Sequence, residues 1–339
     1  MIPPSPLGAS LSCAPASFPK EIAAQAAFTH FGLAGILSSL TSERDVNYRL
    51  ITTAGSFVLK LANPAEPPEV TDFQTQALLH LTAAALPTPR VIRTLSGATE
   101  VLLPQGILRV LTYLEGALLH RAAPSAALRR SMGTMAARLA IGLQGFVHPA
   151  AAHHLQWDIK QASALRSLLA DVPQDLRPLC SLCLDRFDAE IAPRLADLRW
   201  QVVHGDLNPH NILTAPDETT ISGILDFGDM VCTPLVCDLA VAASYQLDPI
   251  NPLASLIEIT QAYHATLPFC RDEAALVIPL IETRWLTTLC ITAHRVALYP
   301  DNAAYILRNV AISRAGLLAF ARLDRARATE TLLSALRFQ

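Results

Sequence analysis

The strongest constraint on this chain is the run Val202-Val203-His204-Gly205-Asp206-Leu207-Asn208-Pro209-His210-Asn211-Ile212-Leu213, followed by Gly223-Ile224-Leu225-Asp226-Phe227-Gly228-Asp229. An aspartate, an asparagine five residues later and a second aspartate one strand further on stand between short apolar runs. Residues 200–203, 211–214 and 220–225 read as strands, so both acids sit at loop tips held by buried β-structure. Asp, Asn and Gly between apolar runs are ordinary hairpin punctuation, and either segment alone would read as turn chemistry. The two together, in this order, are hard to obtain by chance.

Phosphoryl transfer from a nucleotide needs this set of groups. One carboxylate orients or deprotonates the attacking hydroxyl, while an amide oxygen and a second carboxylate hold Mg²⁺ on the phosphates. The spacing from Asp206 to Asn211 matches a kinase catalytic loop, and Asp226-Phe227-Gly228 matches its metal-binding turn. The run His204 to Asn211 resembles the H-G-D-x-x-x-x-N signature of the aminoglycoside phosphotransferase and choline kinase superfamily, which is related to protein kinases. Residues 221–231, ending in Cys237-Asp238-Leu239-Ala240, are similar to one branch of it, the hydroxylysine kinases and their bacterial relatives. Ser42-Glu43-Arg44-Asp45-Val46-Asn47-Tyr48-Arg49-Leu50 resembles the nucleotide-covering loop of that branch. The resemblance runs over roughly residues 20–335.

At 339 residues and 51% apolar composition the chain can bury a sizeable core as two domains or one large bilobal unit. The net charge is −3, only 16% of residues are charged, and Lys and Arg are scattered, so no nucleic-acid footprint is present. The richest apolar stretch, residues 274–299, is interrupted by Glu282, Arg284, His294 and Arg295, which argues against a membrane span. The Pro-, Ser- and Ala-rich residues 1–16 carry no basic residue and read as a disordered leader, not a signal peptide, so a cytoplasmic protein is expected. Seven cysteines without framework spacing fit a reducing compartment. Cys180-x-x-Cys183 has zinc-site spacing, but it lies in an apolar helical stretch where cysteine packs as a small hydrophobe.

The pattern along the chain begins with an amphipathic helix over residues 18–31, stopped by Gly32. Strands are predicted at 36–40, 47–53, 56–61, 90–94, 100–103 and 107–113, with one helix at 69–85 between them. Leu114-Glu115-Gly116 reads as a hinge, and Ala- and Leu-rich helices follow at 124–144, 160–195 and from 235 onward. The expectation is an α+β, protein-kinase-like bilobal fold. A small antiparallel-sheet N-lobe spans residues 17–114, and a larger, mainly helical C-lobe spans residues 115–339.

The resemblance assigns further roles. Lys60, in Phe57-Val58-Leu59-Lys60-Leu61, takes the place of the strand lysine that pairs with nucleotide phosphates. The helix glutamate that anchors such a lysine is missing: Gln74 stands there, with Asp72 a turn away. Arg44, in a polar tip without the glycines of protein kinases, faces the phosphates or solvent. Tyr113, Leu114 and Glu115 offer backbone groups to a purine. His204 and Asp238 brace the catalytic loop, while Asp229 lies on the acceptor side. Glu282 and Arg284 interrupt an apolar helix, so they pair with the loop network or line the acceptor pocket, Arg284 taking a carboxylate and Glu282 an ammonium.

The expected protein is thus a small-molecule kinase using GTP or ATP with Mg²⁺. Asp206 serves as catalytic base, and Asn211 and Asp226 as metal ligands. Its partners are a nucleotide and a small acceptor, with no nucleic acid or membrane. The branch resemblance implies an amino-acid-like acceptor, 5-hydroxylysine first. The alternatives are an aminoglycoside, choline, homoserine or a sugar, or a non-catalytic nucleotide-binding protein that keeps the fold. No Ala-Pro-Glu segment follows Asp226, which argues against protein-kinase activity.

Overall fold

The computed structural model describes residues 17–42 and 45–338. The predicted leader, Glu43 and Arg44 lie outside the described residues. The chain divides into two compact units, one of residues up to Glu115 together with Val147–His154, the other of Gly116–Phe146 and Leu155 onward.

The first unit is an antiparallel sheet with two helices. Helix α1 (Lys20–Phe31) ends at Gly32, whose φ of +68° lets its N–H turn back onto the carbonyls of Ala27 and Phe28. Strands β1 (Ile36–Leu40), β2 (Val46–Thr52) and β3 (Gly55–Leu61) form a meander. Helix α2 (Pro68–Leu81) follows, then β4 (Val91–Ile92), β5 (Val101–Leu103) and β6 (Gly106–Thr112). The strand order is β1-β2-β3-β6-β4, with β5 also on β6. Alternation sorts the two faces. Leu59, Leu61, Leu108 and Val110 join Tyr48, Leu50 and the α1 residues Ala23, Ala27 and Phe31 in one buried cluster. Lys60 and Arg109, direct partners across β3 and β6, therefore point to the other face. There Arg109 donates to Thr71 O, Thr75 Oγ1 and Gln74 Oε1 of α2.

In the second unit β7 (Ala117–Leu118) is followed by α3 (Ala126–Gly142). The single helix predicted over 160–195 is not formed. A 3₁₀ stretch (Ile159–Asp171), α4 (Arg177–Arg186), a π-turn (Phe187–Ile191) and a second 3₁₀ stretch (Ala192–Asp197) replace it. Pro173, Pro178 and Pro193 are the reason, since each lacks a donor and crowds the preceding turn. Cys180 and Cys183 are buried in α4, and burial pushes their thiols up to about 11 and about 12. Strands β8 (Trp200–Val203), β9 (Ile212–Thr214), β10 (Ile221–Ile224) and β11 (Val231–Pro234) make two small sheets, β10-β9-β7 and β11-β8.

Helices α5 (Val236–Ser244), α6 (Pro252–Thr266), α7 (Arg271–Leu298), α8 (Ala303–Ile306), α9 (Val310–Phe320) and α10 (Arg325–Leu336) complete the unit. The 28-residue α7 is long and apolar enough to cross a membrane, yet it is the buried core helix here, packed against α5 and α9. Its hydroxyls are satisfied within the helix: Thr283, Thr287, Thr288 and Thr292 each donate to the carbonyl four residues earlier. Trp285 of α7 is fully buried, with its ring edge-on to Phe320 at 5.0 Å and its Nε1–H donating to Ser244 O. Helices α3 and α6 meet so closely at Gly133 that an added Cβ would lie 2.1 Å from Ile259 O.

Candidate functional site

The loop between β8 and β9 is fixed from within. His204 is fully buried; its Nδ1 accepts the Asp206 N–H at 3.2 Å, so the proton sits on Nε2, which donates to Leu225 O at 2.9 Å. Its ring stands edge-on to Phe227 at 4.8 Å. The imidazole thereby ties the first loop to the second, ahead of the Asp226-Phe227-Gly228 turn. Asp238, in the first turn of α5, accepts the Gly205 N–H at 2.8 Å. Gly205 has φ +79°, and a Cβ there would lie 2.3 Å from Asp229 O, so this position excludes any side chain.

These braces aim Asp206. Its Oδ2 accepts from Asn208 Nδ2 at 2.7 Å and Asn211 Nδ2 at 2.9 Å, and Asn211 Nδ2 also reaches the Asp206 carbonyl at 3.0 Å. Its Oδ1 accepts from Arg284 Nη2 at 2.8 Å. Burial pushes the Asp206 carboxyl above the ordinary carboxylate range, with Arg284 opposing and the Asp229 carboxylate reinforcing the rise. Asp226 sits at φ +53°, a left-handed backbone unusual for a non-glycine residue, with Oδ1 accepting from Gly228 N–H at 3.3 Å. The structure thus brings His204, Asp206, Asn211, Asp229 and Asp238 together around one loop, with Asp226 at the adjoining turn. A model of the phosphotransferase enzyme family matches residues 37–276.

The chain belongs to that family.

Hydroxylysine kinase of Mus musculus is 28% identical over 302 residues, covering 80% of each chain. Homoserine kinase of Methylobacterium nodulans is 28% identical over 207 residues, covering 58% of this chain and 60% of that one. Among solved structures, an amicoumacin kinase in complex with AMP-PNP, Ca²⁺ and Ami superposes with a TM-score of 0.68 at 12% identity, over 91% of this chain and 97% of that one. The fold is therefore the protein-kinase-like α+β fold of the antibiotic kinases, and the chain is a small-molecule phosphotransferase of that family.

The phosphotransferase places three sequence-predicted residues differently from expectation. Glu282 and Arg284 were expected to share a pocket, but residues two apart on a helix project about 200° apart. Glu282 pairs with Arg325 of α10 at 2.9 Å, and burial raises its carboxyl while Arg325 holds it down. Arg284 does not present an open fork to an acceptor. Its Nη2 binds Asp206 Oδ1 and Tyr245 Oη, its Nε binds Tyr245 Oη, and its Nη1 binds Trp157 O. The loop network, the other alternative, is where it belongs. Tyr113 was expected to offer hinge groups, but its N–H donates to Ser56 O at 3.0 Å, which extends the sheet.

Within the first unit Lys60 is ion-paired with Asp45 at 3.1 Å, an acid in the polar tip before β2. Asp72, the expected substitute anchor, binds His148 Nε2 at 3.1 Å and Gln76 Nε2 at 3.0 Å. Gln74 Oε1 accepts from Arg109 Nη2 at 2.8 Å. Exposed Glu115 accepts from Arg49, whose guanidinium lies 3.9 Å from the Tyr113 ring centre. Leu114 follows Tyr113 in an irregular segment. Asn208, Tyr245 and Trp157 are contacts that sequence reasoning missed. Only Asn208 carried a signal, by lying inside the motif.

Proposed function

We propose that this chain transfers the γ-phosphoryl group of ATP or GTP to the hydroxyl of an amino-acid-like acceptor, with 5-hydroxylysine favoured. The observation that carries the proposal is the Asp206 carboxylate, oriented from three sides by Asn208, Asn211 and Arg284 within a D-x-x-x-x-N loop. Oδ1 holds one bond and keeps a second acceptor site for an incoming hydroxyl. Asp206 positions that hydroxyl and takes its proton as the new O–P bond forms. Lys60 offsets charge on the nucleotide phosphates. Asp229 accepts the ammonium of the acceptor.

The donor set of Asn211 and Asp226 fits a hard cation. Both side-chain bonds of Asn211 are donated by its amide nitrogen, so its amide oxygen would be the atom to meet a cation, and Asp226 would supply a carboxylate. Among the described residues no group of three His, Cys, Asp or Glu forms a metal cage. Two protein oxygens suit Mg²⁺, which keeps waters and phosphates in its shell. Mg²⁺ held there would neutralise charge on the β- and γ-phosphates.

The similarity to relatives named hydroxylysine kinase and homoserine kinase supports a hydroxylated amino acid as acceptor. The test is nucleotide turnover by purified protein, with ATP and with GTP, against 5-hydroxylysine, homoserine, choline, an aminoglycoside and a neutral sugar. The amino acids should be turned over fastest. Asp206→Asn should lower kcat by about 10²–10⁴, the usual size of a general-base contribution. A sugar that outruns both amino acids overturns the acceptor class. An Asp206→Asn enzyme that turns over like wild type overturns the mechanism.

A further inference from the structure

Two neighbouring residues of α7 grip the C-terminal end of α5. Trp285 Nε1–H donates to Ser244 O at 2.9 Å, and Arg284 donates to Tyr245 Oη through Nε at 3.3 Å and Nη2 at 3.2 Å. Tyr245 follows the last residue of α5, keeps its N–H on helix carbonyls, and is buried. Its ring centre stays 5.8 Å from the central carbon of the guanidinium. The phenol therefore meets Arg284 with its oxygen and not with its face.

A guanidinium beside an ionised carboxylate commonly holds it by two parallel bonds from one edge. Arg284 gives Asp206 one bond only, from Nη2 to Oδ1 at 2.8 Å. The reason lies in its other partners. Tyr245 Oη takes both donors of the Nε–Nη2 edge, and the Trp157 carbonyl accepts from Nη1 at 3.1 Å. While the phenol holds that edge, the guanidinium cannot turn it toward Asp206. The consequence falls on one oxygen. Asp206 Oδ2 already accepts from Asn208 and Asn211, which fills its two acceptor sites. A second arginine bond could land only on Oδ1, at the site left for an incoming hydroxyl. A two-bond grip by Arg284 and a hydroxyl bound to Asp206 are therefore mutually exclusive.

We propose that Tyr245 is a positioning residue: by holding the Nε–Nη2 edge of Arg284 it limits that arginine to one bond on Asp206 and keeps Oδ1 open to the acceptor hydroxyl. The inference rests on the reading of Asp206 as the base. No proton passes through Tyr245. Its part is to fix the rotation of the guanidinium, so that Arg284 lends its charge to Asp206 without covering the oxygen that does the chemistry.

Tyr245→Phe keeps the ring and removes the oxygen, so Arg284 is free to close on Asp206 with two bonds. The assay is turnover with Mg²⁺, ATP or GTP, and whichever of 5-hydroxylysine, homoserine, choline, an aminoglycoside and a neutral sugar reacts fastest. The kcat of Tyr245→Phe should fall by about 10–100-fold, a part of the general-base contribution, with the nucleotide KM unmoved. Arg284→Lys supplies the control, because an ammonium is a point charge and cannot make the two-bond grip. Whatever the rate of Arg284→Lys itself, adding Tyr245→Phe to it should change kcat by less than about twofold. A merely structural tyrosine would slow both backgrounds alike, and that result overturns the inference. So does a Tyr245→Phe enzyme that turns over like wild type. An Asp206→Asn enzyme with wild-type kcat would instead overturn the reading of Asp206 as the base, and this inference with it. A crystal structure of Tyr245→Phe tests the geometry without any acceptor: Nε and Nη2 of Arg284 should both bond to Asp206, and a single bond as in wild type refutes the proposal. Should Tyr245→Phe fail to fold, replacing Tyr245 by 4-aminophenylalanine, which has the same shape but a weakly accepting nitrogen, carries both measurements.

Discussion

The buried pair of Arg284 and Asp206 makes a prediction that separates two roles for one arginine. The Arg284 side chain is only 3% exposed, and Asp206 is 16% exposed. Arg284→Met keeps much of the volume and removes every donor to Asp206 Oδ1, Tyr245 Oη and Trp157 O. Removing one partner of a buried pair typically costs about 3–5 kcal/mol, because the remaining charge is left uncompensated. For a folding unit of roughly 200 residues, about 2–4 °C is lost per kcal/mol, so the melting temperature should fall by roughly 6–20 °C. The activity carries a second signature. Burial already raises the Asp206 carboxyl, and Arg284 is the foremost influence opposing that rise. Without it the carboxyl climbs further. Proton acceptance needs the ionised form, and ionisation is lost as pH falls through the pKa. The acid limb of kcat must therefore move to higher pH in Arg284→Met, and less so in Arg284→Lys. Differential scanning fluorimetry and a pH–rate profile read both effects. An unshifted melting temperature with an unmoved acid limb, accompanied only by a raised acceptor KM, would mean that Arg284 grips the acceptor after all.

Two further outcomes follow from geometry. Asp226→Ala removes an anionic oxygen from the proposed cation site, so Mg²⁺ with ATP or GTP should no longer raise the melting temperature; a stabilisation equal to wild type would leave Asp226 as a turn residue only. Gly133→Ala should destabilise by about 1–3 kcal/mol in a urea titration, because its Cβ would sit 2.1 Å from the Ile259 carbonyl where α3 meets α6; an unchanged midpoint would show that the two helices can part without cost.

What the sequence made legible was local. The strands of the first unit are visible in period-two runs, and each observed strand overlaps its predicted one. The geometry of the D-x-x-x-x-N loop was readable because its side chains bond within a few residues, as Asp206 does to Asn208 and Asn211. Contacts across long stretches of chain left no trace. Arg284 meets Asp206 from 78 residues away, and Trp157 meets Arg284 through a carbonyl that any residue would supply. Two signals existed and were missed. Glu282 and Arg284 cannot share a helix face at a separation of two, and three prolines forbid a continuous helix over 160–195. Lys60 illustrates a third kind of loss. The resemblance points to an acid in α2, whereas Asp45 reaches it from the tip that precedes β2.

The tight approach of Gly205 to the Asp229 carbonyl limits which parts of this enzyme can be exchanged. Protein kinases carry arginine at the corresponding place in H-R-D, and no side chain fits here. The catalytic loop and the turn that follows the Asp-Phe-Gly run are interlocking pieces cut to one another, joined also by His204 to Leu225 and by the His204–Phe227 ring contact. A chimera that transplants either segment alone from a protein kinase would bring a loop and a turn with no common seat. The smallest portable module is the whole stretch from β8 to the start of α5, which also carries Asp238 with the Gly205 amide that it holds.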